Sequence, residues 1–195
     1  MHVNIDYPDI EAERKILQLV RSENQLLIES TLESSFNSNQ NKSNPNNSTQ
    51  NKSNPNKSNP DNSKQANTKK QAPPTKVSQE HIFQARKQVL DIYMLPALEE
   101  YIIQLVMATR TPGDYGDLLV NSIEYGVSPR GTIALDRCAR AHAWLNNRDY
   151  VTPEDIQIVA PDTLRHRIGL SFEAEAKGVT CNQIVGEILD QVAAP

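Results

Sequence analysis

The sequence predicts an all-α protein: a small helical bundle preceded by one isolated strand and helix and by a disordered insertion. Apolar residues recur at three- and four-residue spacing through most of residues 77–195, which is the period of an amphipathic helix. Serine, threonine or proline stands at the head of most of these stretches, where a helix begins. The few glycines lie at the ends of helices and in turns, so the pattern favours short helices over strands.

The N-terminal piece, residues 1–35, is expected to hold one strand and one helix. Val3, Ile5 and Tyr7 alternate with polar residues, as in a strand, and Pro8 and Asp9 then begin a helix. That helix has Ile10, Leu17 and Val20 at helical spacing and an i,i+4 pair of Glu11 and Lys15. Because one strand needs a neighbour for its backbone hydrogen bonds, this piece resembles the end of a larger domain.

Residues 36–76 form a predicted disordered insertion rich in Asn, Ser, Pro and Lys. Its repeats of five residues, such as NKSNP, contain no large apolar residue between positions 41 and 65 and cannot offset the entropy of ordering. Seven lysines and Asp61 give residues 37–76 a net charge of +6. Because the whole chain has a net charge of −4, the remaining residues together carry −10. This acidic body argues against nucleic-acid binding. The insertion is either a tethered binding arm or a loop of variable length.

The main body, residues 77–195, is predicted to contain five to seven short helices. The expected starting points are Ser78, Pro96, about residue 114, Ser128, Thr152 and Thr180. Thr180 and Gln183 match a capping box, and a short helix is predicted over 114–125. The helix that begins at Ser128 is expected to turn four residues inward: Ile133, Cys138, Ala141 and Leu145.

No catalytic motif or complete metal site is present in the sequence. The phosphate-binding pattern GxxxxGK(S/T), the esterase pattern GxSxG and the zinc pattern HExxH are all missing. Cys138 and His142 are four residues apart, but no third ligand is near in sequence, so we expect no metal. Cys138 and Cys181 are expected to be reduced, as in the cytoplasm, and no apolar run approaches the ~20 residues of a membrane span. The triplet from Arg165 to Arg167 is expected to be a solvated or ion-paired face.

Arg130 is the residue whose position needs an explanation. Ser128 is a good N-cap and Pro129 suits the first helical position, so Arg130 falls in the first turn. The helix dipole disfavours a cation there by roughly 0.3–1 kcal/mol. An anion such as phosphate would relieve this repulsion and satisfy the free N–H groups of the helix. An ordinary salt bridge or an exposed side chain is the other interpretation.

Residues 125–170, YGVSPRGTIALDRCARAHAWLNNRDYVTPEDIQIVAPDTLRHRIGL, resemble the C-terminal helical lid of MoxR-type AAA+ ATPases. The positions that match the pattern of that lid are Gly126, Ser128, Pro129, Arg130, Arg148, Asp149, Tyr150, Val151, Pro153, Asp155, His166 and Arg167. Val127 and Asn147 stand where that lid commonly has alanine and glycine, and both are mild departures. Upstream, Tyr101, Ile102 and residues 108–110 also look like that lid, and residues 2–8 look like the last strand of the ATPase core and its exit.

The resemblance implies that Arg130 is the sensor arginine that reaches the terminal phosphates of the nucleotide, with Ser128 and Pro129 forming its positioning turn. The Walker A and Walker B motifs of the family would precede residue 1, so we expect this chain alone not to hydrolyse ATP and to have no catalytic residue. ATP and Mg²⁺ would bind only with a complete core. A chaperone-like, cytoplasmic motor is implied, assembled as a hexamer with a client or metal-binding-domain partner. The chain would then be a truncated product, an alternative start or a fragment.

A free-standing helical interaction module that has lost its motor is the alternative interpretation. Both interpretations fit an acidic helical body, and nucleic-acid binding would depend only on the lysines of the insertion. The DNA upstream of Met1 discriminates between them: an open frame with GxxxxGK(S/T) supports the ATPase, and a stop codon supports the module.

Overall fold

The computed structural model describes residues 6–40 and 77–195, and the predicted all-α bundle is confirmed over them. Val3, Ile5 and most of the insertion lie outside the described residues, so the strand and the disorder predicted there stay predictions. The elements are α1 (Ile10–Gln40), α2 (Gln79–Asp91), α3 (Pro96–Arg110), a 3₁₀ turn (Pro112–Asp114), α4 (Asp117–Ser122), β1 (Ile123–Tyr125), α5 (Pro129–Leu145), α6 (Pro153–Leu164), β2 (Gly169–Leu170), α7 (Phe172–Ala176) and α8 (Cys181–Gln191).

Most of the predicted helix starts are confirmed because local chemistry determines them. The Ser78 hydroxyl accepts a hydrogen bond from the His81 amide at 3.2 Å at the start of α2. Pro96 occupies the first turn of α3. Thr180 and Gln183 form the capping box at the start of α8, and a second capping box joins Thr152 to Asp155 at the start of α6.

The helix predicted over residues 114–125 is confirmed only over Asp117–Ser122, and its last three residues form a strand. After the short α4, the chain turns into β1, which pairs antiparallel with β2 through Ile123 and Leu170. A three-residue strand beside a two-residue strand is too short to display the alternation that identifies strands in a sequence. The pairing brings the chain that precedes α5 next to the chain that follows α6.

Helix α3 lies at the centre of the bundle, and its apolar residues are buried almost all round. Ile102, Ile103, Leu105 and Val106 have no exposed surface. Of these, Ile102, Leu105 and Val106 pack in one core with apolar residues of α5, α6 and α8: Leu135, Ala139, Ile156, Ala160, Ile184, Val185 and Ile188. Sequence periodicity also predicts Ile184, Ile188 and Val192 as the inward residues of the last helix, and all three lie in this core, although Val192 follows the end of α8.

The inward face predicted for α5 is wrong. Cys138 and Leu145 are exposed, and Ile133 and Ala141 are only half-buried. The buried side of α5 instead carries Gly131, Thr132, Leu135, Asp136, Ala139, Arg140 and Ala143. Small residues let α5 approach its neighbours closely, and the charged residues are buried because they are paired there. Since most of these residues are not strongly apolar, the spacing of the apolar residues predicted the wrong buried side of the helix.

Helix α1 continues to Gln40, five residues beyond the expected start of the insertion, and packs against the bundle through its first half. Leu17 is buried there, as predicted. Among the helices that the structure describes, none is long and apolar enough to cross a bilayer.

Candidate functional site

The turn that leads into α5 is packed tightly against the end of α3. A Cβ atom on Gly126 would lie 2.6 Å from the Thr109 carbonyl oxygen, closer than any side chain could be accommodated, so glycine is required there. Val127 is fully buried, and its amide donates to the Thr109 hydroxyl at 2.9 Å. The Val127 carbonyl accepts from Arg110 Nε at 2.7 Å. The backbone just before the Ser128–Arg130 turn is therefore fixed in position.

Ser128 and Pro129 begin α5 as predicted, although Ser128 caps it without its side chain. Ser128 has an extended backbone (φ −75°, ψ 168°), and its hydroxyl makes no capping hydrogen bond. The Ser128 carbonyl accepts from the Gly131 amide at 2.8 Å, and Pro129 supplies a pre-set φ at the first helical position. The Ser128 hydroxyl remains available at the helix terminus.

Arg130 is exposed in the first turn of α5 and has no hydrogen-bond or ion-pair partner among the side chains described in residues 6–28 and 77–195. The first turn of α5 contains no acidic residue either. The charge of Arg130 thus stands at the positive end of the helix dipole without compensation from the described part of the chain. A salt bridge within the described residues is therefore excluded, and both remaining interpretations, an anion-binding arginine and an ordinary exposed side chain, fit this position.

Behind this turn lies a buried ion pair that the sequence interpretation missed. Glu13 of α1 is 1% exposed and accepts from Arg110 Nη1 at 3.1 Å, and the Thr132 hydroxyl of α5 donates to its other oxygen. Arg110 also donates to the Pro8 carbonyl at 3.2 Å. Helices α1, α3 and α5 are thereby joined at one point, two residues from Arg130. We call Glu13, Arg110 and Thr132 the buried clamp.

A second polar cluster joins the same three helices one to two turns further on. Asp136 of α5 accepts from Arg21 Nη2 at 2.6 Å and from Arg140 Nε at 2.9 Å. Arg21 also pairs with Glu99 of α3. Together with the buried clamp, this cluster fixes both the position and the rotation of α5. The signal in the sequence is the spacing of Glu13, Leu17 and Arg21, which share one face of α1.

The stretch from Asn147 to Asp155 is a structural connection between α5 and α6. Asp155 is 1% exposed and accepts from both terminal nitrogens of Arg148, at 2.6 and 2.5 Å, and from the Thr152 amide at 2.8 Å. His142 Nδ1 lies 2.6 Å from the same carboxylate. Burial raises the pKa of Asp155, but the hydrogen bonds from Arg148, Thr152 and His142 outweigh it and hold that pKa well below its ordinary value.

The backbone conformation of Asn147 explains why asparagine is a mild departure from the family pattern at this position. Its φ is +55°, in the left-handed region that glycine enters without cost and asparagine enters more readily than other residues. The position ends α5 and allows Arg148 to turn back towards Asp155. Asparagine therefore serves where the lid pattern has glycine.

The other predicted candidates do not gather into a site. Cys138 is exposed, His142 is engaged with Asp155, and the described residues contain no group of three His, Cys, Asp or Glu side chains that could hold a metal ion. Arg165 pairs with Asp162 at 2.8 Å on the surface, and Arg167 donates to the Thr163 carbonyl at 2.6 Å. The predicted solvated and ion-paired face is consistent with these contacts.

Comparison with known proteins bears on the same region. The AAA lid domain family matches residues 120–188, which include the Ser128–Arg130 turn and the Arg148–Asp155 pair. Chaperone MoxR1 of Mycobacterium tuberculosis is 38% identical over 100 residues, covering 51% of this chain and 26% of that protein. This chain therefore contains an AAA lid domain and is similar to MoxR proteins. The uncharacterized protein YeaC of Bacillus subtilis is 39% identical over 122 residues, covering 63% of this chain and 35% of that protein.

A solved structure shares the fold of the MoxR-type lid. The crystal structure of a predicted ATPase from Cytophaga hutchinsonii aligns with a TM-score of 0.60 and 46% identity, over 61% of this chain and 36% of that one. The chain spans only about a quarter to a third of the length of the curated relatives it matches. The activity of a whole ATPase is therefore a matter for proposal.

Proposed function

We propose that this chain supplies the lid of an ATP-hydrolysing, chaperone-like MoxR motor and that Arg130 is its sensor arginine. The observation that carries the proposal is the exposed position of Arg130 at the positive end of α5, where no side chain of the described residues pairs with it. A nucleotide phosphate is the group that both the guanidinium and the free N–H groups of the helix would bind. Ser128 and Pro129 would set the backbone from which Arg130 extends.

The rigidity of the surrounding structure supports this role. A sensor can respond to the γ-phosphate only if its helix moves as part of the lid and does not deform alone. The buried clamp and the Asp136 cluster connect α5 to α1 and α3, so a displacement of Arg130 by nucleotide would be transmitted to the whole bundle. That coupling is what a remodelling motor needs between ATP turnover and movement of its parts.

The cofactors would be ATP and Mg²⁺, held by a complete core together with this lid. When bound, Mg²⁺–ATP would supply the terminal phosphoryl group that is transferred to water. The part of this chain in that reaction would be to place one guanidinium against the terminal phosphate oxygens. Neighbouring subunits of an oligomer and a client protein or metal-binding-domain protein would be the macromolecular partners.

The test joins this chain to the core of a relative. A chimera in which residues of this chain replace the matching portion of the Mycobacterium tuberculosis MoxR1 chaperone is assayed for steady-state ATP hydrolysis. Arg130→Ala should lower turnover about ten- to a hundredfold, which is less than the loss of an arginine finger causes. The reason is that the negative charge on the phosphoryl oxygens in the transition state would lose one stabilising guanidinium. Arg130→Lys should restore activity only in part, since an ammonium cannot bridge two oxygens.

The control is Arg165→Ala, which removes another exposed arginine of the same lid. Its turnover should stay within about twofold of the parent chimera, because its surface pair with Asp162 contributes little. Unchanged hydrolysis in Arg130→Ala, in a chimera that is itself active, would show that Arg130 is not a sensor.

A further inference from the structure

A large apolar groove lies on the side of the bundle formed by α1, α2 and the C-terminal half of α5. Its volume is about 820 Å³. Leu27 of α1, Ile82 and Val89 of α2, and Trp144 and Leu145 of α5 line it. Ile82 is 50% exposed and Leu145 is 70% exposed, so much of this apolar surface is uncovered by the described residues.

Helix α2 has no buried residue, which is unusual for a helix with four apolar side chains at helical spacing. An isolated helix of 13 residues is marginal in water and owes its stability to burial of its apolar face. Within the described part of the chain, that face is only half covered, by α1 and α5. A further apolar surface laid into the groove would complete the packing of α2.

The charges around the groove have one sign. Its lining contains His81, Arg86 and Arg137 and no carboxylate, although the whole chain has a net charge of −4. Neither Arg86 nor Arg137 has an ion-pair or hydrogen-bond partner within the described residues. A bound segment with acidic edges would therefore meet two unpaired guanidinium groups at the border of the groove.

We propose that this groove is a docking site for an amphipathic helix of another protein, with an apolar stripe and acidic flanks. The lining begins at Val77, just before α2, and continues to Leu90, so it follows nearly the whole of α2, which is about 20 Å long for 13 residues at 1.5 Å per residue. A helix of about 14 residues fits that length and presents apolar side chains on one face. The segment between α1 and α2 does not supply such a helix, because residues 41–76 contain no Val, Ile, Leu, Met, Phe, Trp or Tyr with which to form an apolar stripe.

The full chain allows a direct test, because Trp144 in the groove is its single tryptophan. The probe is a synthetic 14-residue helical peptide without aromatic residues, with leucine at positions 1, 4, 5, 8, 11 and 12 and glutamate beside that stripe. Titration should change Trp144 fluorescence to saturation. A second peptide with lysine in place of glutamate should bind at least about tenfold more weakly, because its flanks repel Arg86 and Arg137.

Substitutions then localise the binding. Leu145→Asp and Arg137→Glu should each weaken binding of the acidic peptide by about tenfold or more. The matched control is Ile158→Asp, on α6, because Ile158 is a comparably exposed apolar residue outside the groove at 58% exposure. Its affinity should be unchanged, and thermal melts should show all three variants folded, since each position is exposed.

Three results would overturn the proposal. Equal affinity for the acidic and basic peptides would remove the role of the arginines. Equal weakening by Leu145→Asp and Ile158→Asp would place binding elsewhere. A change of Trp144 fluorescence with protein concentration alone, abolished by Leu145→Asp, would show that the occupant is a second copy of this chain.

Discussion

Replacing Glu13 by alanine tests whether the buried clamp holds the turn that carries Arg130. Glu13 is the only carboxylate that pairs with Arg110 within the described residues, and the side chains of both are almost fully buried, at 0% and 3% exposure. The Glu13→Ala variant would leave the Arg110 guanidinium inside the protein without a counter-charge. It would also remove the acceptor of the Thr132 hydroxyl.

The magnitude follows from the contacts that remain. Removing one partner of a buried ion pair typically costs 3–5 kcal/mol of unfolding free energy, roughly. Arg110 keeps its hydrogen bonds to the carbonyls of Pro8 and Val127, so we expect the lower end, about 3 kcal/mol. For a domain of this size each kcal/mol lowers Tm by about 2–4 °C, which gives a decrease of about 6–12 °C.

The assay is thermal unfolding of the full chain followed by circular dichroism at 222 nm. Glu11→Ala is the matched control, because Glu11 is an exposed glutamate in the same first turn of α1. It should cost less than about 1 kcal/mol through the helix dipole alone. If Glu13→Ala lowers Tm no more than Glu11→Ala does, the ion pair does not hold α1 against α3 and α5, and the argument from rigidity to sensor function fails with it.

Three further substitutions test the packing of the lid. Asp155→Asn should lower Tm at neutral pH, and the Tm of the variant should fall less on acidification than the Tm of the parent. The folded pKa of Asp155 is depressed, so the carboxylate stabilises the native state above its unfolded pKa and this contribution is lost as pH falls towards the folded pKa. Melts from pH 7 to pH 3 check this. Gly131→Ala should destabilise by about 1–3 kcal/mol in denaturant titration, because its Cβ would lie 2.1 Å from Val127 Cγ1. Gly186→Ala in α8, where nothing lies within 4 Å, should instead stabilise by up to about 1 kcal/mol, and the opposite order would contradict the packing of the turn.

Helix starts were predictable from the sequence because caps are local. Ser78, Pro96, Thr152 and Thr180 each act within three residues of themselves, so the sequence contains the whole interaction. Arg130 was identifiable for the same reason: its conflict with the helix dipole is visible in the order Ser-Pro-Arg. Whether a salt bridge resolved that conflict could not be read from the sequence, because it depended on which residues of α1 and α3 come near.

The buried face of α5 was not predictable because it is polar. Asp136 and Arg140 read as surface residues in any hydrophobic pattern, and only the placement of Arg21 from α1 and the Ile92 carbonyl makes their burial favourable. The pairing of β1 with β2 was also not predictable from the sequence, because it depends on residues far apart in the chain. Ile123 and Leu170 are 47 positions apart, and neither strand is long enough to signal itself.

The distribution of arginine partners connects packing to function. Six arginines of the described chain pair with carboxylates, namely Arg14, Arg21, Arg110, Arg140, Arg148 and Arg165. Three of these, Arg21, Arg110 and Arg140, join helices around α5, and Arg148 fixes its exit. Arg130 lies on the same helix as these contacts and takes part in none of them, although an acidic body offers many carboxylates. Arg137 on the same helix is also unpaired in the described part of the chain, so what distinguishes Arg130 is its position in the first turn, at the positive end of the helix dipole. We propose that an anion from outside the described residues binds there.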